Sequence, residues 1–346
     1  MLTLLSYLYR AGWRIKQGLY AIGLRTPRRL DARVICVGNL TTGGTGKTPM
    51  VIHLARFFQE QGHRVAVLTR GYKGKRTERV TLVSDGERRR VSAEESGDEA
   101  ALMADALPGI PVIASPDRYA AGMEALRRFA TEVFILDDGY QHLQLSRDRN
   151  LLLIDATNPF GGGRLLPAGR LREPLDGIRR ADAVILTRTD QAGDLSGVVE
   201  TLRRYHPEAP IFRSVHEPYA LEDPRDGTSR EPDDLLGREV IALSGIGNPG
   251  AFRDTLNRLG AKVVREWTLP DHHDYTPEDF ERLRSLCREH PSAQVVTTEK
   301  DRVRVETGSF GDLPMWVLKI RIRIVEEEGW KEWLRANCRL GCDPLH

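Results

Sequence analysis

Disulfide chemistry has little to work with in this chain. Four cysteines (Cys36, Cys287, Cys338 and Cys342) in 346 residues are too few and too scattered for a framework of bridges, so free thiols are expected. The Cys338/Cys342 spacing has no second pair and no histidine partner nearby, which argues against zinc. There is no Cys-x-x-Cys and no histidine-rich run, only the pair His272-His273. No uninterrupted apolar stretch reaches the roughly 18 to 20 residues that span a bilayer. The N-terminus also lacks the charged start, long apolar middle and small-residue cleavage site of a secretory signal, so the chain is not expected to cross a membrane. Net charge is nearly absent as well. A balance of 51 Lys plus Arg against 49 Asp plus Glu leaves +2, which excludes a general nucleic-acid binder.

What is present is a globular composition, 40% apolar and 29% charged, in a chain long enough for two domains or one large one. The charge is segregated. Residues 1–33 hold seven basic side chains and one acid, so that segment carries +6 and the remaining 313 residues carry −4. Within residues 1–24, Thr3, Ser6, Arg10, Arg14 and Gln17 fall on one helical stripe, and Leu4, Leu5, Leu8, Trp13, Ile15 and Tyr20 lie around the rest of the wheel. Such an amphipathic helix suits an anionic membrane surface, and Arg25, Arg28 and Arg29 add attraction. It equally suits a helix packed on the protein's own core with its arginines solvated.

From about residue 32, short apolar runs alternate with helical stretches, the pattern of a parallel sheet covered by helices. Strands are expected over 33–37, 64–69, 111–114, 133–136, 151–154 and 183–187, and helices over 48–61, 97–107, 118–130 and 195–205. A Pro-, Asp-, Arg- and Gly-rich stretch, 218–237, reads as a linker or hairpin. A second alternation follows, with strands over 240–243, 262–267, 294–297 and 316–325 and helices over 249–259, 277–289 and 328–338. The expected division is an amphipathic helix (1–30), a nucleotide-binding domain (31–217), the linker (218–237), a smaller α/β domain (238–314), and a return strand with a terminal helix (315–346).

The strongest local signal is the run from Val34 to Thr48. A buried strand enters the turn Gly43-Gly44-Thr45-Gly46-Lys47-Thr48, which opens a helix. The glycines let successive N–H groups face a phosphate, Lys47 supplies a point charge to the β/γ oxygens, and the Thr48 hydroxyl can hold Mg²⁺. Thr41 stands where the strict phosphate-loop template has glycine. The local form resembles the variant loop of nitrogenase-iron-protein-like NTPases, whose extra lysine is Thr42 here. The run Val133–Leu136 then delivers Asp137 and Asp138 at a strand end, the second half of an NTPase site.

Thr187-Arg-Thr-Asp190 resembles the element with which GTPases read guanine, with Arg188 in place of lysine. A GTPase or ATPase switch, or a metallochaperone, is therefore one alternative, although no metal-binding tract accompanies it. A binding module that keeps the loop without transfer chemistry is another. A transferase needs a group to receive the acceptor's proton. Asp98, at a helix start, and His272, in Asp271-His-His-Asp274, are candidates; their ordinary alternatives are a helix cap and a loop histidine bonded to Asp274.

Taken together, Gly38 to Pro49, Thr69-Arg-Gly-Tyr72, Gly97-Asp-Glu99, Asp137-Asp-Gly-Tyr-Gln-His142 and Gly169-Arg-Leu-Arg-Glu-Pro174 occur in the order seen in the tetraacyldisaccharide 4′-kinases. Asp271-His-His273 and Thr297-Thr-Glu-Lys-Asp301 extend the likeness over essentially the whole chain. The chain is similar to this lipid A kinase family. The resemblance implies ATP-dependent phosphorylation of the 4′-hydroxyl of a tetraacylated glucosamine disaccharide 1-phosphate, giving lipid IVA. It implies two α/β/α domains, the first a P-loop NTPase-like parallel sheet, joined by a two-stranded linker with the active site in the cleft. It further implies Asp98 as catalytic base with His272 as partner, Lys47 and Thr48 on phosphate and Mg²⁺, and Asp137, Asp138 and Glu173 as metal-organising acids. Gln141, His142, Arg170 and Arg172 would sit at the substrate or phosphate side. Arg118 could reach substrate phosphate or be a helix-surface charge, and Gly161–Pro167 could be a mobile segment near acyl or phosphate groups or a plain surface loop. The expected partners are the lipid acceptor and an anionic membrane, at the cytoplasmic face of the bacterial inner membrane, with the protein monomeric and no nucleic acid bound.

Overall fold

The structure, a computed structural model, describes residues 2–75, 78–305 and 313–338; Cys342 lies outside them. Helix α1 (Leu2–Ala21) precedes two α/β/α units. The first unit contains β1 (Arg33–Asn39), α2 (Lys47–Glu60), β2 (Val65–Thr69), β3 (Thr81–Ser84), the single turn α3 (Ala93–Ser96), α4 (Asp98–Ala106), β4 (Val112–Ala114), α5 (Arg118–Phe129), β5 (Val133–Asp137), β6 (Arg149–Asp155), β7 (Ala183–Thr187) and α6 (Ser196–Tyr205). Its strands are almost wholly buried on both faces, as a parallel sheet between helices requires. On one face α2, α4 and the C-terminal helix enclose Val51, Leu54, Met103 and Trp330; on the other α5 packs on Phe134 and Leu136. Truncating a fully buried side chain such as Leu54 to alanine would cost about 2–5 kcal/mol.

The long strand β8 (Ile211–Glu222) then carries the chain out of this unit, and the short β9 (Ser229–Arg230) pairs back on it. The expected linker boundary at 217/218 falls inside β8. The second unit contains β10 (Glu239–Ser244), α7 (Pro249–Arg258), β11 (Lys262–Thr268), α8 (Pro277–Glu289), β12 (Gln294–Thr298), the single turn α9 (Glu299–Arg302), β13 (Met315–Ile324) and α10 (Glu327–Asn337). At α8 Thr276 caps the helix, Asp279 reaches back to complete the capping box, and Pro277 occupies the first turn. Strand β8 pairs with β7 in parallel over Ile211–Arg213 and with β13 antiparallel over Ser214–Glu222. The two units therefore share one hydrogen-bonded sheet, in the order β11-β10-β12-β13-β8-β7-β6-β1-β5-β2-β4-β3. Helix α10 returns to the first unit, where the Trp330 indole donates to His53 of α2 at 3.1 Å.

Candidate active site

The phosphate loop links β1 to α2. Its last residue, Gly46, takes the left-handed conformation (φ 82°) as the N-cap of α2, and no side chain caps that helix. The first N–H groups of α2 are thus left for an anion. Three bonds brace the loop: Asn39 donates to the Thr45 hydroxyl at 2.8 Å, Arg188 to the Gly44 carbonyl at 2.7 Å, and the Thr187 hydroxyl to the Thr45 carbonyl at 3.1 Å. Beside it lies a recess of about 240 Å³, lined by Gly43, Gly44, Asp155, Asn158, Gly161 and Arg170 among others. Gly161 packs against the Arg170 side chain, which places the head of the Gly161–Pro167 segment at this recess. The Thr187–Asp190 element is spent on protein partners: Arg188 pairs with Asp155, and Asp190 with Arg258 of α7. It buttresses the loop.

Register places the acids. Strand β5 runs beside β1 with Asp137 opposite Val37, so both carboxylates emerge next to the root of the loop. The two neighbours differ in kind. Asp137 is buried, its Oδ2 accepts from Thr69 at 2.7 Å, and its Oδ1 has no partner among the described residues. Burial, reinforced by the charges of Glu99 and Asp138, pushes its carboxyl up to about 7. Burial also opposes ionisation of Asp138, but Lys47 at 3.6 Å and Arg172, bonded to both oxygens at 2.8 and 2.9 Å, outweigh it and hold that carboxyl below its ordinary value. Adjacent acids driven in opposite directions mark a functional cluster.

Behind this pair lies a support of buried polar groups. Glu173 is fully buried, with one oxygen accepting from Gln141 and the other from Arg180, each at 2.7 Å. Burial raises its pKa against those partners. Gln141 also donates to the Asn39 carbonyl at 2.8 Å, tying Glu173 to the end of β1. Among the described residues no group of three or more His, Cys, Asp or Glu is arranged as a complete metal cage. Arg118 is 4% exposed, so it is no surface charge; its Nε has no partner among the described residues. Burial, then Arg118, Arg147 and Lys16, push His142 down to about 4. Helix α1 reaches the same loops: the Tyr9 hydroxyl donates to the Arg172 carbonyl at 2.6 Å, and Lys16 to the Gln141 carbonyl at 3.0 Å.

The second unit completes the site from across the cleft. Asp98 is the first residue of α4, and Gly97 occupies the cap position, so its carboxylate is not spent on its own helix. His272, in the left-handed region (φ 67°), donates from Nδ1 to Asp98 Oδ2 at 2.7 Å rather than bonding Asp274. Its Nε2 lies 3.4 Å from Lys300 and 3.6 Å from Asp271. A second cation joins them: Arg304 Nε donates to the same Asp98 oxygen at 2.6 Å. The structure thus brings together Lys47, Thr48, Asp137 and Asp138 at the loop, Gln141, Arg172 and Glu173 behind them, and Asp98 with His272 across the sheet junction. Sequence reasoning missed Arg304, Arg180, Thr69 and His216. Thr69, His216 and Arg304 act through contacts with residues distant in sequence, and Arg180 through Glu173 seven residues away; Thr69 opens the Thr69-Arg-Gly-Tyr72 run, and Arg304 lies three residues past the motif ending at Asp301.

A model of the tetraacyldisaccharide-1-P 4′-kinase family matches residues 1–339. A tetraacyldisaccharide 4′-kinase from Syntrophus aciditrophicus is 42% identical over 342 residues, covering 96% of this chain and 91% of that protein. Its counterpart from Halothermothrix orenii is 40% identical over 341 residues, covering 94% and 88%. Among solved structures, LpxK from Aquifex aeolicus in complex with ATP superposes with a TM-score of 0.76 at 38% identity, covering 96% of this chain and 97% of that one.

Proposed function

The chain belongs to the tetraacyldisaccharide-1-P 4′-kinase family, and we infer from that premise that it transfers the γ-phosphate of ATP to the 4′-hydroxyl of a tetraacylated glucosamine disaccharide 1-phosphate. One observation carries the reading: a phosphate loop with Lys47 3.6 Å from Asp138 is combined with an Asp98–His272 pair closed at 2.7 Å from the other unit, and Glu99, next to Asp98, acts on Asp137. A switch or metallochaperone has no use for the second half of that arrangement.

Transfer forms a bond from the acceptor oxygen to the γ-phosphorus while the bond to the bridging oxygen breaks and ADP leaves. A sugar hydroxyl is a poor nucleophile, so Asp98 takes its proton and His272 holds the carboxylate in place. Lys47 and the N–H groups of α2 hold the phosphates, with Gly43, Gly44, Thr45, Gly46 and Thr48 shaping the turn. Oxygen donors here suit a hard cation. Asp137, buried with an unmatched oxygen and raised to about 7, is a carboxyl held near neutral until positive charge arrives. The Thr48 hydroxyl and the Asp137 and Asp138 carboxylates would hold Mg²⁺, whose charge would offset that of the phosphates. Glu173 works from behind, holding Gln141 and Arg180. Arg118, Arg170, Arg172, Gln141 and His142 form the side that meets phosphate and sugar.

The acceptor lies in a membrane, and no helix among the described residues is long and apolar enough to cross one. The proposed location is the cytoplasmic face of the inner membrane, with the protein a monomer attached at the surface through helix α1. Its Trp13 is buried, whereas Leu4, Leu8 and Ile15 stand 64–67% exposed.

Radiolabelled ATP with detergent-dispersed acceptor tests the assignment. Asp98→Asn should lower kcat by roughly 10²- to 10⁴-fold with ATP binding retained, and Lys47→Ala should abolish labelling of the lipid. Near-normal turnover in Asp98→Asn would remove Asp98 from the role of base.

A further inference from the structure

Asp98 belongs to the first unit, yet both groups that grip it come from the second. His272 is carried on the loop between β11 and α8, and Arg304 follows α9. Arg304 is the more deeply set of the two, with a side chain only 3% exposed. Its guanidinium is anchored from behind: Nη1 donates to the Gly245 carbonyl at 3.0 Å and lies 3.4 Å from Asp301 Oδ1. Asp301 is itself fixed by the Gly245 N–H at 3.0 Å and the Thr298 hydroxyl at 2.6 Å. A guanidinium held this way has little freedom left, and its Nε points where its frame directs it.

Both partners choose the same atom. His272 Nδ1 and Arg304 Nε each bond Asp98 Oδ2, and Oδ1 has no hydrogen bond among the described residues. A carboxylate gripped through one oxygen cannot rotate freely, so Oδ1 is the lone acceptor left for an incoming hydroxyl. Histidine alone would leave the group able to swing about a single bond; two donors from different directions set the carboxylate plane.

We propose that Arg304 is a positioning residue for the transfer reaction, fixing through Asp98 Oδ2 which carboxylate oxygen meets the acceptor hydroxyl. This rests on the reading of Asp98 as the base. In the step itself the acceptor proton passes to Oδ1 as the new phosphorus–oxygen bond forms, while Arg304 and His272 stay bound at Oδ2. Arg304 never exchanges a proton, because a guanidinium remains charged throughout. Other charged and aromatic groups surround the pair. Glu99 follows on α4, Asp271 and Lys300 stand at the far nitrogen of His272, Asp301 lies behind Arg304, and the Tyr72 ring sits 6.1 Å from that of His272.

The test compares Arg304→Met, Arg304→Gln and Arg304→Lys with the unaltered full-length enzyme, using ATP and detergent-dispersed lipid acceptor. Both neutral variants should lose kcat by roughly 10- to 100-fold through misplacement of the base, with KM for ATP changed by less than about twofold. Losing a cation beside a carboxylate disfavours its charged form, so the acid limb of kcat/KM should move up by about one pH unit. Arg304→Lys returns the charge without the planar fork. It should restore the limb to its original pH while leaving part of the kcat loss. A purely structural role would lower the melting temperature and the active fraction alike at every pH, with the limb unmoved. An unmoved limb in a folded neutral variant overturns the proposal, and so does a lysine variant whose limb stays displaced. Asp98→Asn, run alongside, separates the two readings: if it turns over normally, the base is misassigned and the role of Arg304 falls with it.

Discussion

At the scale of single residues the site is governed by close approach and by charge. Gly46 shows the first. Its φ of 82° already excludes most side chains, and a Cβ there would stand 2.7 Å from His216 Nε2 on β8. His216 is held neutral, its pKa pushed down to about 4 by burial and by Arg188, so the turn rests on an uncharged ring. Gly46→Ala should therefore cost about 1–3 kcal/mol of stability and weaken ATP binding by roughly tenfold or more, read by thermal melting and nucleotide titration. Combining it with His216→Ala should recover the part due to the clash but not the part due to φ. Full recovery would show that the left-handed turn itself costs nothing. Asp137 and Asp138 show the second effect. Their opposite pKa directions follow from their surroundings: burial, Glu99 and Asp138 raise Asp137 against its Thr69 hydrogen bond, whereas Lys47 and Arg172 lower Asp138, and neither direction could be read from two adjacent aspartates in a string.

Among the elements, the contact of α10 with α2 links the chain's end to the helix that follows the phosphate loop. Trp330 is 1% exposed, stacks on Trp333, and donates to His53 Nε2, so the bond requires a neutral imidazole. Burial brings His53 down to about 4 from its ordinary 6.5. The unfolded chain therefore takes up this proton first as pH falls, and stability is lost from about pH 6.5 down to about pH 4. From pH 6.5 to 5 the loss due to His53 should approach about 2 kcal/mol. His53→Gln keeps an acceptor without titrating. Urea unfolding followed by tryptophan fluorescence should show a smaller drop in stability between those pH values in this variant; an equal drop would place the acid sensitivity elsewhere. The helices here were legible from spacing and caps, α8 to the residue, because each buries a continuous apolar stripe. Strand β8 was not legible at all. It is only half-buried along most of its length, carries Pro218, and owes its existence to pairing with β13 a hundred residues later. Likewise the loop, the paired aspartates and the Asp98 and His272 motifs stood out locally, whereas Arg304 gains meaning only once α4 and the second unit meet.

Taken whole, the molecule joins an amphipathic N-terminal helix, a nucleotide-binding unit and a second unit through direct contacts. Helix α1 docks by a narrow stripe, Tyr9, Trp13 and Lys16, and two of these bond the carbonyls of Arg172 and Gln141, on the loops that carry the substrate-side residues. Lys16 also lies over the Trp13 ring at 5.0 Å. The stripe and the half-buried residues 17–20 leave Leu4, Leu8 and Ile15 exposed, so the segment is neither a plain core helix nor a free arm. On the proposed membrane reading, the split of +6 over the first 33 residues and −4 over the remainder would draw that exposed face toward an anionic surface and turn the rest of the protein away from it. Replacing Leu4, Leu8 and Ile15 together by glutamine removes apolar area that is about two-thirds exposed and leaves the docking stripe intact. The triple variant should keep its melting temperature and its affinity for ATP. Its partition onto vesicles containing anionic phospholipid should fall by at least about tenfold, since each buried methylene contributes roughly 0.8 kcal/mol. Raising salt should weaken what binding remains, through the arginines. Phosphorylation of acceptor presented in vesicles should then fall with partition, while acceptor dispersed in detergent is phosphorylated at nearly the original rate. Unchanged sedimentation with anionic vesicles would deny α1 its place at the membrane and leave the exposed leucines without a use.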